Sequence, residues 1–198
     1  HYWDRPVFYF LNEVYHSQLL QLLNKTTLLL SKILTPGFWL TITIITSLYA
    51  IYSYWIARRL HVGKHHWVKI SLALIYTIVI LAITKMLFLR YAPHDLIQHQ
   101  QYGLQFFTFA LNNSENYPSI STALSFAGLL SIATCFQSKG WIILALILAV
   151  LNNFSHIYIG TYFLSDSILG AYIGVFSYYW ANSMSHYLTQ LTSNSKLD

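Results

Sequence analysis

Charge and cysteine are the two things that this sequence has little of. Only 9% of its 198 residues are charged, whereas 56% are hydrophobic and 17% are aromatic; a soluble domain carries about 25% charged residues. The composition therefore excludes a disordered chain and disfavours an ordinary soluble surface. Cys135 is the single cysteine, so an intrachain disulfide is excluded, and its place in an apolar run makes it a packing residue.

The basic excess does not point to nucleic acid. The formal net charge is +5, but the 11 Lys and Arg residues are scattered between apolar runs and form no basic stripe. We therefore expect no nucleic-acid partner. The composition favours an integral membrane protein.

Five apolar runs predict an all-α, polytopic transmembrane helix bundle. Each run is close to the ~20 residues that a helix needs to cross the hydrocarbon core of a bilayer. Polar or charged connections separate the runs from one another. The predicted spans are Phe38–Ala57, Trp67–Thr84, Ile120–Phe136, Trp141–Ile157 and Ser165–Ala181.

The sequence before the first run has a different pattern. Apolar residues recur at helical spacing in 1–37 and charges interrupt them, which is typical of an amphipathic helix lying at the interface. We therefore expect an interfacial segment at 1–37, the membrane bundle at 38–182 and a polar tail at 183–198. Because the number of predicted spans is odd and the C-terminus is expected on the cytoplasmic side, this chain starts on the outer side. Since it starts there and begins with His1, we also expect an upstream span or a cleaved signal.

Loop charge predicts the orientation of the bundle. The Arg58–Lys69 connection is basic and has no acidic residue, whereas the Asn152–Leu164 connection has no Lys or Arg. Basic loops stay on the cytoplasmic side. The long Lys85–Ser119 segment then lies on the outer side.

Several polar residues meet at that predicted outer side. Lys85 and Arg90 follow the second span, His156 ends the fourth, and Ser119 and Asp166 open the third and the fifth. Cations beside a helix N-terminus make an anion site, here of the chemical type that binds phosphate. The alternative stays open: the two cations could anchor the span at the interface, and the two helix-opening residues could be plain caps.

Three short segments carry a family resemblance: Lys85–Pro93, Pro118–Ser121 and Ser155–Asp166. Their order and spacing resemble the three motifs of the type-2 phosphatidic acid phosphatase superfamily of lipid phosphatases and phosphotransferases. Within this superfamily, the sequence resembles the bacterial lipid A phosphotransferases that use undecaprenyl diphosphate. Trp3–Asn12 also resembles the N-terminal region of those phosphotransferases. The resemblance implies a bacterial inner-membrane protein, a site that faces the periplasm, a phosphorylated membrane lipid as partner, and neither cofactor nor metal.

The departures from the motifs concern the reactive residues. In the family, a His four residues before the third-motif Asp attacks phosphorus, and a second-motif His protonates the leaving group. Tyr162 and Ser121 stand at these positions, and His156 replaces the third-motif Arg. The resemblance therefore implies phosphate-binding residues but no assured catalytic residue. The phosphate-binding set is Lys85, Arg90, Ser119 and Ser121, and the catalytic candidates are Tyr162, Asp166 and His156.

Three functions follow from this pattern. The first is a pseudoenzyme that binds a phosphorylated lipid or a membrane protein partner. The second is an active phosphatase or phosphotransferase with rearranged catalysis, which would use Tyr162 or one of His94, His99 and His156. The third is a structural subunit without a lipid site. Missing histidines disfavour the second, and charges kept at a membrane boundary disfavour the third.

In one continuous helix, His156 and Tyr162 would lie on different faces, since six residues separate them.

Overall fold

The computed structural model describes residues 3–16, 21–57, 66–90, 93, 104–106 and 117–194. Within these residues the chain is almost entirely helical, and the predicted all-α bundle is confirmed. The exception is a pair of three-residue antiparallel strands in which Phe88 lies opposite Phe106. The elements are α1 (Asp4–His16), α2 (Gln21–Ile33), α3 (Pro36–Ala57), α4 (His66–Leu87), β1 (Phe88–Arg90), β2 (Leu104–Phe106), α5 (Ile120–Cys135), α6 (Lys139–Tyr158) and α7 (Leu164–Asn194).

Each predicted apolar run coincides with one of the helices from α3 to α7, and most of their ends agree within a few residues. The main difference is at the C-terminus, where α7 continues past the predicted tail boundary at residue 183. Packing explains the extension. The Lys69 ammonium donates to the Asn182 side chain at 3.0 Å, and Ser185 is only 2% exposed, so polar residues of this helix also find partners in the bundle.

Three segments of the described chain are long and apolar enough to cross a membrane: Lys25–Tyr52, His66–Leu87 and Lys139–Tyr158. The protein is therefore an integral membrane protein. The first segment starts earlier than the predicted span Phe38–Ala57, because the chain leaves the helix only briefly between α2 and α3. Pro36 restarts the helix as its first residue, where the missing N–H costs nothing.

Trp39 holds the centre of the core. Its side chain is 1% exposed and packs with Leu74 and Leu124. The indole N–H donates to Ser125 Oγ at 3.1 Å, so the one polar atom of the ring is satisfied. A Cβ on Gly128 would come within 2.0 Å of the Trp39 ring, so this position must be glycine for the indole to fit.

Two glycines bring α5 and α7 together. A Cβ on Gly170 would lie 2.6 Å from the Ser119 carbonyl oxygen, and one on Gly174 would lie 2.3 Å from the Ala123 carbonyl oxygen. The two glycines are four residues apart, which is the small-residue spacing that lets membrane helices approach backbone to backbone. This contact fixes the start of α5 against the start of α7.

The chain directions bring four helix ends to one end of the bundle, called the site end here. Helices α4 and α6 finish there, and α5 and α7 begin there. Helix α1 reaches the same end, since Phe8 meets Phe163, just before α7, with ring centroids 5.9 Å apart. The site end is therefore where the polar residues of five elements can meet.

Candidate functional site

Arg90 is the central residue of the site end. It lies at the end of β1 and is only 3% exposed. Its Nη2 lies 2.8 Å from Asp4 Oδ2, and its Nη1 donates to Asp166 Oδ1 and to Ser165 Oγ. The guanidinium carbon also lies 4.3 Å from the centre of the Phe163 ring. The planar fork of Arg90 thus joins two carboxylates, a geometry that lysine does not offer.

Asp4 is the residue of this site that sequence analysis missed. Its carboxylate is 3% exposed, and it accepts from the Ser165 N–H at 3.0 Å and from Ser165 Oγ at 2.7 Å. Burial by itself would raise the pKa of Asp4, but the hydrogen bonds from Arg90 and Ser165 outweigh it and hold that pKa below its ordinary value. Asp4 is therefore an ionised partner of Arg90.

Asp166 connects the ion pair to the helix ends. It lies in the first turn of α7, and its Oδ2 accepts from the Phe163 N–H at 3.2 Å, as a helix-capping carboxylate does. Its own carbonyl oxygen accepts from the Ser119 N–H at 3.2 Å. The structure thus places Arg90, Asp166 and Ser119 together, and Asp166 is both a cap and a charge partner.

Ser119 is the N-cap of α5. Its hydroxyl accepts from the Thr122 N–H at 3.3 Å and bonds with Thr122 Oγ1 at 2.8 Å. Thr122 Oγ1 in turn donates to Asn153 Oδ1 at 3.0 Å, which ties α5 to α6. The capping interpretation of Ser119 is therefore observed.

The Tyr162 side chain lies against Ser121 and Ser119, so its hydroxyl is at the start of α5. Burial raises the pKa of Tyr162 above the ordinary 10.0, the hydrogen bonds with Ser121 and Ser119 oppose that rise, and the negative charge of Asp166 adds to it. Tyr162 is therefore a neutral phenol near pH 7.

His156 lies beside Tyr162, which the six-residue spacing did not lead us to expect. Helix α6 ends at Tyr158, and the chain then turns through Gly160, whose φ is +78°. The turn brings the Tyr162 ring edge-on to the imidazole, with centroids 5.6 Å apart. The helical-face argument, which assumed one continuous helix, does not apply because α6 ends between the two residues. His156 Nδ1 lies 3.2 Å from Thr161 Oγ1, and its buried Nε2 has no hydrogen-bond partner among the residues that the structure describes.

Comparison with known proteins decides the family. The profile of the PAP2 superfamily matches residues 67–190, which is more than half of the 198 residues. This chain belongs to the PAP2 superfamily. The resemblance carried by the three motifs is thereby confirmed.

One solved structure is similar to this PAP2 chain. It is the crystal structure of the first transmembrane PAP2 type phosphatidylglycerolphosphate phosphatase from Bacillus subtilis. It shows 15% sequence identity and a TM-score of 0.43, covering 94% of this chain and 97% of that chain. Comparison with curated proteins gives no match.

The remaining residues expected from the PAP2 motifs lie around this arrangement or outside the described residues. Lys85 is half-buried in the last turn of α4, a short distance along the chain from Arg90. His94 and His99 lie outside the described residues. Among the residues that are described, no group of three His, Cys, Asp or Glu side chains is placed to hold a metal ion. The described part of the site therefore offers an arginine, two helix N-termini, hydroxyl groups and two carboxylates.

Proposed function

We propose that this PAP2 protein is catalytically degenerate and binds a phosphorylated membrane lipid at the site end without cleaving it. PAP2 proteins act on phosphorylated lipid substrates in membranes, so a lipid phosphate is the ligand class that the family favours. In this proposal the bundle lies in a bacterial inner membrane with the site end facing the periplasm. The basic Arg58–Lys69 connection, which belongs on the cytoplasmic side, supports that orientation.

The observation that carries the proposal is that Tyr162 and Ser121 lie side by side at the start of α5. These residues stand where the motif resemblance implies an attacking histidine and an acid histidine. A covalent phosphoryl route needs an activated nucleophile and a proton for the leaving oxygen. A neutral, buried phenol with a raised pKa is not an activated nucleophile. A serine hydroxyl is a far weaker proton donor than a protonated imidazole, and general acid–base help contributes about 10²–10⁴-fold. Turnover is therefore expected to be absent while binding groups remain.

The retained groups suit phosphate binding. Arg90 offers a planar fork that matches phosphate oxygens. The first turns of α5 and α7 present backbone N–H groups at positive helix ends, which attract anions. Lys85 adds a point charge in the last turn of α4. Together these are the components of an anion site, and none of them depends on the missing histidines.

The direct test measures binding and turnover on the purified full chain in detergent micelles. Phosphatidic acid and undecaprenyl diphosphate are the probes, and phosphatidylcholine is the neutral comparison lipid. We expect binding of the anionic probes without phosphate release. Lys85→Ala should weaken binding by about tenfold, which corresponds to one charge-assisted hydrogen bond. Lys139→Ala is the matched control, since Lys139 is an exposed lysine at the opposite end of the bundle.

Phosphate release by the unmodified protein would contradict the proposal. If Tyr162→Phe then abolished that release, Tyr162 would be a nucleophile after all. If no anionic lipid bound to any variant, a membrane protein partner would be the better hypothesis for this site.

A second candidate function is an active lipid phosphatase or phosphotransferase with rearranged catalytic residues. The observation that favours it is the contact between His156 and Tyr162, because a buried imidazole beside a phenol is one way to activate an oxygen nucleophile. Under this hypothesis both His156→Ala and Tyr162→Phe abolish phosphate release. Release lost in His156→Ala but kept in Tyr162→Phe would make the histidine itself the reacting group.

A further inference from the structure

The N-terminal helix brings a carboxylate into the place where an anionic ligand would bind. Asp4 accepts from Arg90 Nη2 at 2.8 Å, from Ser165 Oγ at 2.7 Å and from the Ser165 N–H at 3.0 Å. A guanidinium, a hydroxyl and a backbone N–H at a helix start are also the donors that a phosphate oxygen uses. Asp4 therefore accepts hydrogen bonds from the same donors that the proposed lipid phosphate would use.

Charge makes the two anions exclude each other. Arg90 already pairs with Asp166, and with Asp4 in place the three side chains carry one positive and two negative charges. A phosphate that approached Arg90 would add a further negative charge to this buried group. Like charges repel strongly where water is excluded, so the phosphate and the Asp4 carboxylate compete for one edge of the guanidinium.

The part of helix α1 whose side chains are described, residues 4–11, meets the bundle through few buried side chains. Among the side chains of α1 that are described, only Asp4 and Phe8 are buried, and they lie four residues apart on one face. Phe8 rests on Phe163 and on Gly160, where a Cβ would come within 3.0 Å of the Phe8 ring. Aromatic side chains are exposed on the rest of this segment: Trp3, directly before α1, is 76% exposed, and Phe10 on α1 is 63% exposed. Such a helix can stay at the membrane interface after it leaves the site.

We propose that Asp4 is a built-in occupant of the anion site and that α1 is a plug which a phosphate monoester displaces from Arg90. This inference rests on the proposed function, and it assigns a regulatory contact to the same site. When the plug leaves, Arg90 keeps Asp166 as its partner, so the bundle retains a paired arginine. The freed donors of Arg90 and Ser165 then hold the phosphate.

Binding measurements on variants of α1 test the competition. Asp4→Asn keeps the shape of the side chain and removes its charge, and Phe8→Ala loosens α1 without changing any charge. Both should bind phosphatidic acid about 10- to 100-fold more tightly than the unmodified protein, because the Asp4 carboxylate then competes less with the phosphate for charge-assisted hydrogen bonds. Phe10→Ala removes the same ring from the exposed face of α1 and should leave affinity unchanged. Inorganic phosphate, tested in parallel, shows whether the lipid chains are needed for the effect.

A distance measurement tests the displacement itself. Spin labels on cysteines placed at Phe10 and Ile168, both exposed, in a Cys135→Ser background report the separation of α1 from α7. We expect this distance to lengthen when phosphatidic acid saturates the protein. An unchanged distance at saturation would overturn the displacement.

The outcomes separate the plug from the proposed function. Tighter binding in both Asp4→Asn and Phe8→Ala supports the plug, and Phe8→Ala alone decides if Asp4→Asn does not fold. Equal binding by the unmodified protein and the variants overturns the plug and leaves the proposed function standing. If no form of the protein binds either probe, both the proposed function and the plug fail.

Discussion

The contact between α5 and α7 and the contact between α1 and the site end are held by opposite means. At the first, Gly170 and Gly174 bring one helix against the carbonyl oxygens of the other, with no room for a methyl group. At the second, the buried side chains in the described part of α1 are one ring and one carboxylate. Backbone packing of the first kind accepts no substitute, whereas an ion pair can exchange one anion for another. The bundle therefore acts as a fixed frame, and α1 acts as an exchangeable part of the site.

The largest expected effect is on the fixed frame at Trp39. Trp39→Ala should lower the free energy of unfolding by about 3–5 kcal/mol, the usual cost of deleting a buried tryptophan. Unfolding in detergent, followed by circular dichroism, measures this. Trp3→Ala, directly before α1, is the matched control and should change the free energy of unfolding by no more than about 0.5 kcal/mol, because Trp3 is exposed. Similar losses of unfolding free energy in the two variants would contradict the distinction between the fixed frame and α1.

A smaller effect is expected where α5 meets α7. Gly174→Ala adds a methyl group 2.3 Å from the Ala123 carbonyl oxygen, so the helices must separate, at a cost of about 1–3 kcal/mol. The same unfolding measurement applies. Gly37→Ala makes the same change in α3, where the nearest atom lies 3.9 Å away, and it should not destabilise the protein. If Gly174→Ala were as stable as Gly37→Ala, the close helix contact would not be a constraint.

The smallest expected effect is that of mild acid on α1. The pKa of Asp4 is lowered from 3.8 in the folded protein, so its contribution to stability is fully present above that value and is lost as the pH falls through the lower folded pKa. Between pH 7 and pH 5 we therefore expect the unmodified protein and Asp4→Asn to show the same change in the hydrogen-exchange protection factors of the α1 amides, which are corrected for the slower intrinsic exchange at lower pH. A loss of protection at pH 5 that occurs in the unmodified protein and not in Asp4→Asn would show that Asp4 is not held ionised.

The frame could be predicted from sequence because hydrophobic length is a local property. The apolar runs predicted the positions of α3 to α7. The charged residues at the ends of the predicted spans indicated that Arg90 and Asp166 lie at the same end of the bundle. The spacing of Gly170 and Gly174 is a small-residue pattern, which by itself predicts a close contact of α7 with another helix. The continuation of α7 past Ala181 could not be predicted, because Asn182 is bound by Lys69 from another helix.

Helix α1 could be predicted only as part of an interfacial segment. Its periodicity indicated an amphipathic helix but named no partner for Asp4, which meets Arg90 across 86 residues of sequence. An acidic residue in the first turn of a helix has an ordinary role at the positive helix end, so it gave no reason to look further. The contact of His156 with Tyr162 was missed for a related reason, since it depends on where α6 ends.

The most direct test of the central claim is phosphate release from phosphatidic acid by the unmodified chain and by the double variant Ser121→His with Tyr162→His. The double variant restores the two histidines that the motif resemblance implies, in a frame that keeps Arg90 and Asp166. We predict no release by the unmodified chain and measurable release by the double variant, with equal stability of the two proteins as the control. Release by the unmodified chain that equals or exceeds release by the double variant would contradict the account.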